Sequence, residues 1–187
     1  MSKISVTLSV SLIIIGTIIG TVVGYSLTPA YRISMYDKSQ MDFGRADRGL
    51  DLRYINAMIA HHRGAVLLAE QAQNITQRKE IKDLTADILK NEPVAIQELY
   101  NWKKSWYGDT HKVRDPVVPK LGTYDEKYDL RFLNALLVHH EAGLMMTDDI
   151  KTKSSRLEIL NNADVVGTFF TTTMEIFENW RKEWYQI

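Results

Sequence analysis

Cysteine is absent from the 187 residues. The chain therefore has neither a disulfide framework nor thiolate metal sites, although the lack of thiols does not fix its compartment. An excess of charge of either sign is also missing, since Lys+Arg and Asp+Glu both number 23. That balance excludes a protein that grips nucleic acid through a basic field. No nucleophile with a partnering base, no pair of catalytic carboxylates and no phosphate-cradling glycine loop is present, so the chain is not expected to be an enzyme. His-Glu-x-x-His is missing, and with it a zinc-protease site. The Glu-x-x-His pairs of di-iron bundles are missing as well, because Met58, Ile59, Leu136 and Leu137 stand three residues before the histidines.

What is present begins with an apolar run. Ile4 to Ala30 holds no charged residue, and Ile4 to Leu27 is 24 residues long. A membrane helix needs roughly 20, and the apolar part of a cleaved signal peptide is usually about 7–15. Residues 1–30 are thus expected to form an uncleaved signal anchor, a single transmembrane helix. The alternative is cleavage at Thr28-Pro29-Ala30. Lys3 before the span predicts a cytoplasmic N-terminus and an extracytoplasmic remainder, with Arg32 working against that orientation. Gly16, Gly20 and Gly24 form a small-residue ridge by which two such helices would pair into a homodimer, although glycine is common in membrane helices in any case.

The rest of the chain is a tandem duplication. Asp51-Leu-Arg-Tyr-Ile-Asn-Ala-Met-Ile-Ala-His61-His62 returns as Asp129-Leu-Arg-Phe-Leu-Asn-Ala-Leu-Leu-Val-His139-His140, 78 residues later. The same offset carries Asn101-Trp102-Lys103-Lys104-Ser105-Trp106-Tyr107 onto Asn179-Trp180-Arg181-Lys182-Glu183-Trp184-Tyr185. A unit of this length needs its other copy to cover its apolar face. The expected organisation is a linker over 31–44 and a bundle over 45–187. Within the bundle, repeat one spans 45–107, a Pro-containing crossover 108–122 and repeat two 123–187.

Each copy reads as two amphipathic helices. From about Arg45 to Gln73 the pattern is helical, and at about 100° per residue Tyr54, Met58, His61, His62, Ala65 and Ala69 share one direction. Thr76 is the expected N-cap of the second helix. Ile81, Leu84, Ile88, Ala95, Leu99, Trp102 and Trp106 are spaced at three and four residues along it. Pro93 predicts a kink, and Glu92 lies on the apolar seam, either as a functional carboxylate or as a group reaching water at the break. Thr123-Tyr-Asp-Glu126 and Ser155-Arg-Leu-Glu158 have the form of capping boxes for the third and fourth helices. Trp102 and Trp180 are expected to be largely buried on inner faces. The predicted fold is all-α, a four-helix bundle of two tandem hairpins after one transmembrane helix.

Four of the five histidines form the two pairs, and His111 stands alone in the crossover. A single histidine on an apolar face is usually a core residue. Burying four imidazoles carries a desolvation cost unless every nitrogen finds a partner. With the first and third helices diagonal in the bundle, the pairs would meet at one height and resemble a metal site. His62 and His140 lie nearest the inward direction, with His61 and His139 flanking them. Met58, Met146 and Met174 add thioether sulfur, and a His/Met set without thiolate favours copper over zinc or iron. The candidate metal ligands are His61, His62, His139, His140, Met58 and Met146. The competing reading is a structural or protein-interaction module whose histidines are core residues.

The stretch Tyr54-Ile-Asn-Ala-Met58-Ile-Ala-His61-His62-Arg-Gly-Ala65 resembles the signature of the domain of unknown function 305 family. The resemblance covers about Leu50 to Tyr107 and, more loosely, Tyr128 to Tyr185. It implies an exported or membrane-anchored ferritin-like helical bundle, of a kind whose members include bacterial periplasmic copper-binding proteins. The family's second Met falls on Leu68 in the first copy and survives as Met146 in the second. Its first Met falls on Leu136 in the second copy, and its acidic positions fall on Ala95 and Thr173. Together the two copies hold one full ligand set, split between them. The resemblance thus implies a membrane-anchored, extracytoplasmic, periplasmic or extracellular bundle that binds copper ion for sequestration or handling.

Overall fold

The computed structural model describes residues 41–187. The expected anchor, its glycine ridge and most of the linker lie outside the described residues. Among the described residues no helix is long and apolar enough to cross a membrane. The described chain is all-α, with helices α1 (Leu50–Ala72), α2 (Lys79–Tyr107), α3 (Tyr128–Lys151) and α4 (Leu157–Tyr185).

Helices α1 and α3 begin later than the helical pattern from Arg45 and the capping box at Thr123 predict, with a common feature in both copies. Arg53 donates from Nε to the carbonyl of Phe43, from Nη2 to that of Arg45 and from Nη1 to Asp47. Arg131 does the same to Leu121, Thr123 and Asp125. The lead-in carbonyls turn to the guanidinium instead of lining up along a helix axis, and α1 starts at Leu50 and α3 at Tyr128. Gly44 and Gly122 turn these lead-ins at positive φ, 70° and 78°, which glycine adopts without steric cost. Thr76 does not cap α2; its hydroxyl donates to Asp129.

The copies are tied to one another by reciprocal bonds. Asp51 accepts from Ser154 and Arg156 of the second copy. Asp129 accepts from Thr76 and pairs with Arg78 of the first. Arg156 lies over the Trp106 ring and Arg78 over the Trp184 ring, at 4.2 and 4.3 Å. Trp102 stacks on Trp106 and Trp180 on Trp184, with ring centroids 5.1 Å apart in both cases. Trp102 and Trp180 keep some exposure while packing against the two apolar clusters, each with one face covered by its tryptophan neighbour. Each copy thus closes over the other's end, as a duplicated hairpin that cannot cover its own face must.

Packing is uneven. Helices α1 and α3 bury thirteen of 23 and sixteen of 24 residues, whereas α2 and α4 bury five of 29 each. The closely packed pairs are α1 with α2, α3 with α4, and α1 with α3. The first and third helices therefore touch across the bundle instead of facing each other over an open axis. Small residues permit this. A Cβ at Gly143 would lie 2.2 Å from Phe170 Cε2 and 2.8 Å from His61 Nε2, and one at Gly64 would lie 3.2 Å from His139 Cε1. The histidines sit at this crossing.

Candidate metal centre

All four paired histidines are buried. The rings of His61 and His139 stack where α1 meets α3, with centroids 3.7 Å apart and planes at 22°. His61 Nε2–H donates to the backbone carbonyl of His139 at 2.9 Å. The central pair is thus His61 with His139, and His62 and His140 flank it, the reverse of the helical-wheel expectation. The close approach at the glycines accounts for the reversal. With no side chain at Gly143, His61 reaches the α3 backbone itself.

Burial drives His61 down to about 3, aided by the neighbouring imidazoles of His62 and His140 and opposed by its bond to the His139 carbonyl. His139 is held well below the usual histidine value, first by burial and then by the rings of His61, His140 and His62. Burial takes His140 to about 4, against its own bond to the Leu136 carbonyl and the charge of Glu92. Neutral imidazole, the form that ligates metals, is the state these three rings hold at pH 7.

The flanking rings are oriented from one side and open on the other. His62 Nδ1–H donates to Glu92 Oε2 at 2.5 Å. His140 Nδ1–H donates to the Leu136 carbonyl at 2.8 Å. In both rings Nε2 is buried without a hydrogen-bond partner. This is the arrangement of a metal-ligating histidine, in which the second ring nitrogen donates to a carboxylate or carbonyl and fixes the tautomer. Both rings line one cavity of about 20 Å³, walled by Ala65, Leu84, Ile88, Phe169, Phe170 and Phe177. A cavity that size holds one water-sized guest, since about 10–15 Å³ on this measure suffices for a water.

Glu92 lines the cavity as well, with 16% of its side chain exposed. The helix runs through Pro93 from Lys79 to Tyr107, and Glu92 turns inward to His62 rather than out to water. Its place on the apolar seam was the sequence signal for this role. Neither Met58 nor Met146 lines the cavity. Both sit in the apolar cluster formed with Tyr54, Ile55, Leu99 and Ile159. Met174 packs against the other cluster. Among the described residues no group of three or more His, Asp and Glu side chains is disposed to hold a metal, so the four imidazoles do not converge as one four-ligand set. His111 is exposed and bonded to Asp109.

Residues 51–126 match the family model described as a domain of unknown function, DUF305. Solved structures of CopM share the fold. Its Cu(I)-bound form is similar at a TM-score of 0.64 and 25% identity, covering 71% of this chain and 95% of that one. The silver-bound form obtained by co-crystallisation gives 0.63 at 25% identity over 71% and 95%, and the apo form 0.63 at 25% over 71% and 96%. No curated protein matches the chain. The resemblance read from Tyr54 to Ala65 is thus that of the domain of unknown function 305 family, whose model the chain matches over residues 51–126, in a four-helix fold shared with CopM.

Proposed function

We propose that the bundle binds a transition-metal ion, copper above all, and sequesters or hands on that ion outside the cytoplasm. The observation that carries this is the pair of buried Nε2 atoms of His62 and His140, each ring oriented through Nδ1, on one small cavity. An unpartnered polar atom in an apolar cavity is costly unless something occupies the site, and a soft cation would satisfy both atoms. His62 and His140 are the ligands in this reading. His61 and His139 form the stacked floor, and their geometry is that of core residues, as the competing structural reading has it. Met58 and Met146 would join the ligand set only by turning from the neighbouring apolar cluster. The likeness to CopM, solved with Cu(I), Cu(II) and silver, supports copper as the cargo. No catalytic step is assigned to the bundle. Residues 4–27 would anchor it to the membrane, with the N-terminus cytoplasmic, and Gly16, Gly20 and Gly24 would pair two anchors.

The test is thermal unfolding of the full-length protein with and without copper. A ligand that binds only the native state raises the midpoint, by roughly 2.7 kcal/mol of stabilisation at a hundredfold excess over Kd. His62→Ala with His140→Ala should abolish the rise while the far-ultraviolet helix signal persists. A wild-type midpoint indifferent to copper would leave the structural module as the reading.

A further inference from the structure

The crossover between the copies is laid over the α1–α2 hairpin and fastened to it at intervals. Lys103, a buried side chain, donates from Nζ to the His111 carbonyl at 2.7 Å and pairs with Asp109. Tyr100 Oη accepts from the Val113 backbone N–H at 2.9 Å. Arg63 pairs with Asp115 at 3.3 Å, and the Gln71 amide bonds to the backbone of Pro119 and Leu121. Between these fastenings the fit is incomplete. A cavity of about 140 Å³ lies against residues 112–115. At 100° per residue it faces the side of α1 opposite His61 and His62. Its apolar lining is Ile59, Ala60, Ile96, Tyr100 and Val113, all buried or half-buried. A void under a pinned segment forfeits dispersion contacts along its wall. An apolar cavity of about 150 Å³ takes up a molecule the size of benzene.

The charged residues of this cavity are Arg63, Lys112, Arg114 and Asp115, three cations against one carboxylate. Arg63 is committed to Asp115 and, at 3.5 Å, to Glu70. The exposed side chains of Lys112 and Arg114 have no hydrogen-bond or ion-pair partner among the described residues. Cations at the edge of a low-dielectric wall concentrate anions there, and a guanidinium matches the fork of a carboxylate. The second copy carries the opposite sign. Glu141 stands where Arg63 stands and Glu178 where Tyr100 stands, 78 residues on, so the cationic edge belongs to the first hairpin and its crossover.

We propose that this cavity binds a small organic anion, a carboxylate on an apolar body the size of one ring. The body packs on Ile59, Ile96 and Val113, and the carboxylate meets Lys112 and Arg114. The site is separate from the histidine cavity and does not rest on the metal reading above.

The experiment titrates full-length protein, ¹³C-labelled at the isoleucine methyls, with benzoate, benzyl alcohol, benzylammonium and acetate. Benzoate is expected to shift the Ile59 and Ile96 methyls and to saturate with a Kd below about 1 mM, within reach of a ligand of its size. Benzyl alcohol has the ring without the charge, benzylammonium the wrong charge, and acetate the charge without the ring. Each should bind at least about tenfold more weakly, the usual worth of a charge-assisted hydrogen bond or of a buried ring. Lys112→Gln with Arg114→Gln should bring benzoate down to the level of benzyl alcohol. Both positions are exposed, so the melting midpoint of that variant should stay near wild type. Benzyl alcohol or benzylammonium binding as tightly as benzoate overturns the proposal, because the cavity would then take any ring. Acetate matching benzoate overturns it as well, since the apolar wall would have no part. So does benzoate affinity unchanged in the double variant, or a failure of benzoate to move the two methyls.

Discussion

Glu92 and Phe170 occupy equivalent positions in the two copies and line the same cavity, one as a carboxylate and the other as a phenyl ring. The outer faces differ in the same spirit. Leu157, Val165, Phe169 and Ile176 stand exposed along α4, where α2 exposes Lys79, Asp87, Asn91 and Glu98 at the matching positions. The bonds between copies, in contrast, are kept as pairs: Asp51 with Arg156, and Asp129 with Arg78. The ties between the copies and both histidine pairs remain twofold, whereas part of the cavity wall and the outer faces diverge.

The largest expected break in this comparison is at Phe177 and its counterpart Leu99, both almost fully buried. Phe177→Ala should cost about 3–5 kcal/mol and Leu99→Ala about 2–5 kcal/mol in denaturant unfolding. Only the former should also change metal affinity, because Phe177 lies against His140, 5.3 Å between centroids, and walls the cavity. Equal effects of the two changes on metal affinity would mean that the cavity wall has no part in binding.

The two glycines at the crossing separate next. Gly143→Ala drives a methyl into Phe170 and His61. Overpacking of about 1–3 kcal/mol should outweigh a propensity gain of up to about 1 kcal/mol. At Gly64 the nearest contact to the new methyl, 3.2 Å from His139, asks for a much smaller shift. Gly64→Ala should therefore be close to neutral. Urea midpoints of the two variants decide it, and equal losses would show that α1 and α3 do not approach as described.

Acid should act on both copies together. His61 at about 3 and His140 at about 4 lie below the unfolded value of about 6.5. Between those values the unfolded chain binds more protons than the native one, so stability rises with pH across that window. The contribution is fully present above about 6.5 and is lost as pH falls through 4 and 3. Unfolding midpoints of the metal-free protein should therefore drop steadily from neutrality towards acid. A midpoint that stays level over that range would show that the rings are not buried neutral.

The smallest effect belongs to the outer faces. Val165→Asp gives α4 the residue type that α2 carries at Asp87, at an exposed site. It should move stability by no more than about 0.5 kcal/mol, and a thermal melt would show it. A larger loss would mean that the α4 stripe is covered.

Much of this was legible in the chain. The offset of 78 between His61 and His139, the apolar periodicity of the four helices and the inward faces of both histidine pairs follow from local pattern, because a helix face is set by residue spacing alone. Glu92 was visible as an acid on an apolar seam, but not as the partner of His62, since that pairing joins two helices. The starts of α1 and α3 lie later than the local pattern implies, because Arg53 and Arg131 fold the preceding residues around their guanidinium groups.

The sequence by itself determined that the molecule is two copied hairpins with four imidazoles turned inward and no cysteine beside them. Only the tertiary structure decided which imidazoles stack across the crossing and which turn Nδ1 to Glu92 or the Leu136 carbonyl beside the cavity. That choice depends on how closely α1 and α3 approach. The approach is set by the missing side chains of Gly143 and Gly64 meeting His61 and His139 across the crossing, a contact between distant residues that no local periodicity encodes.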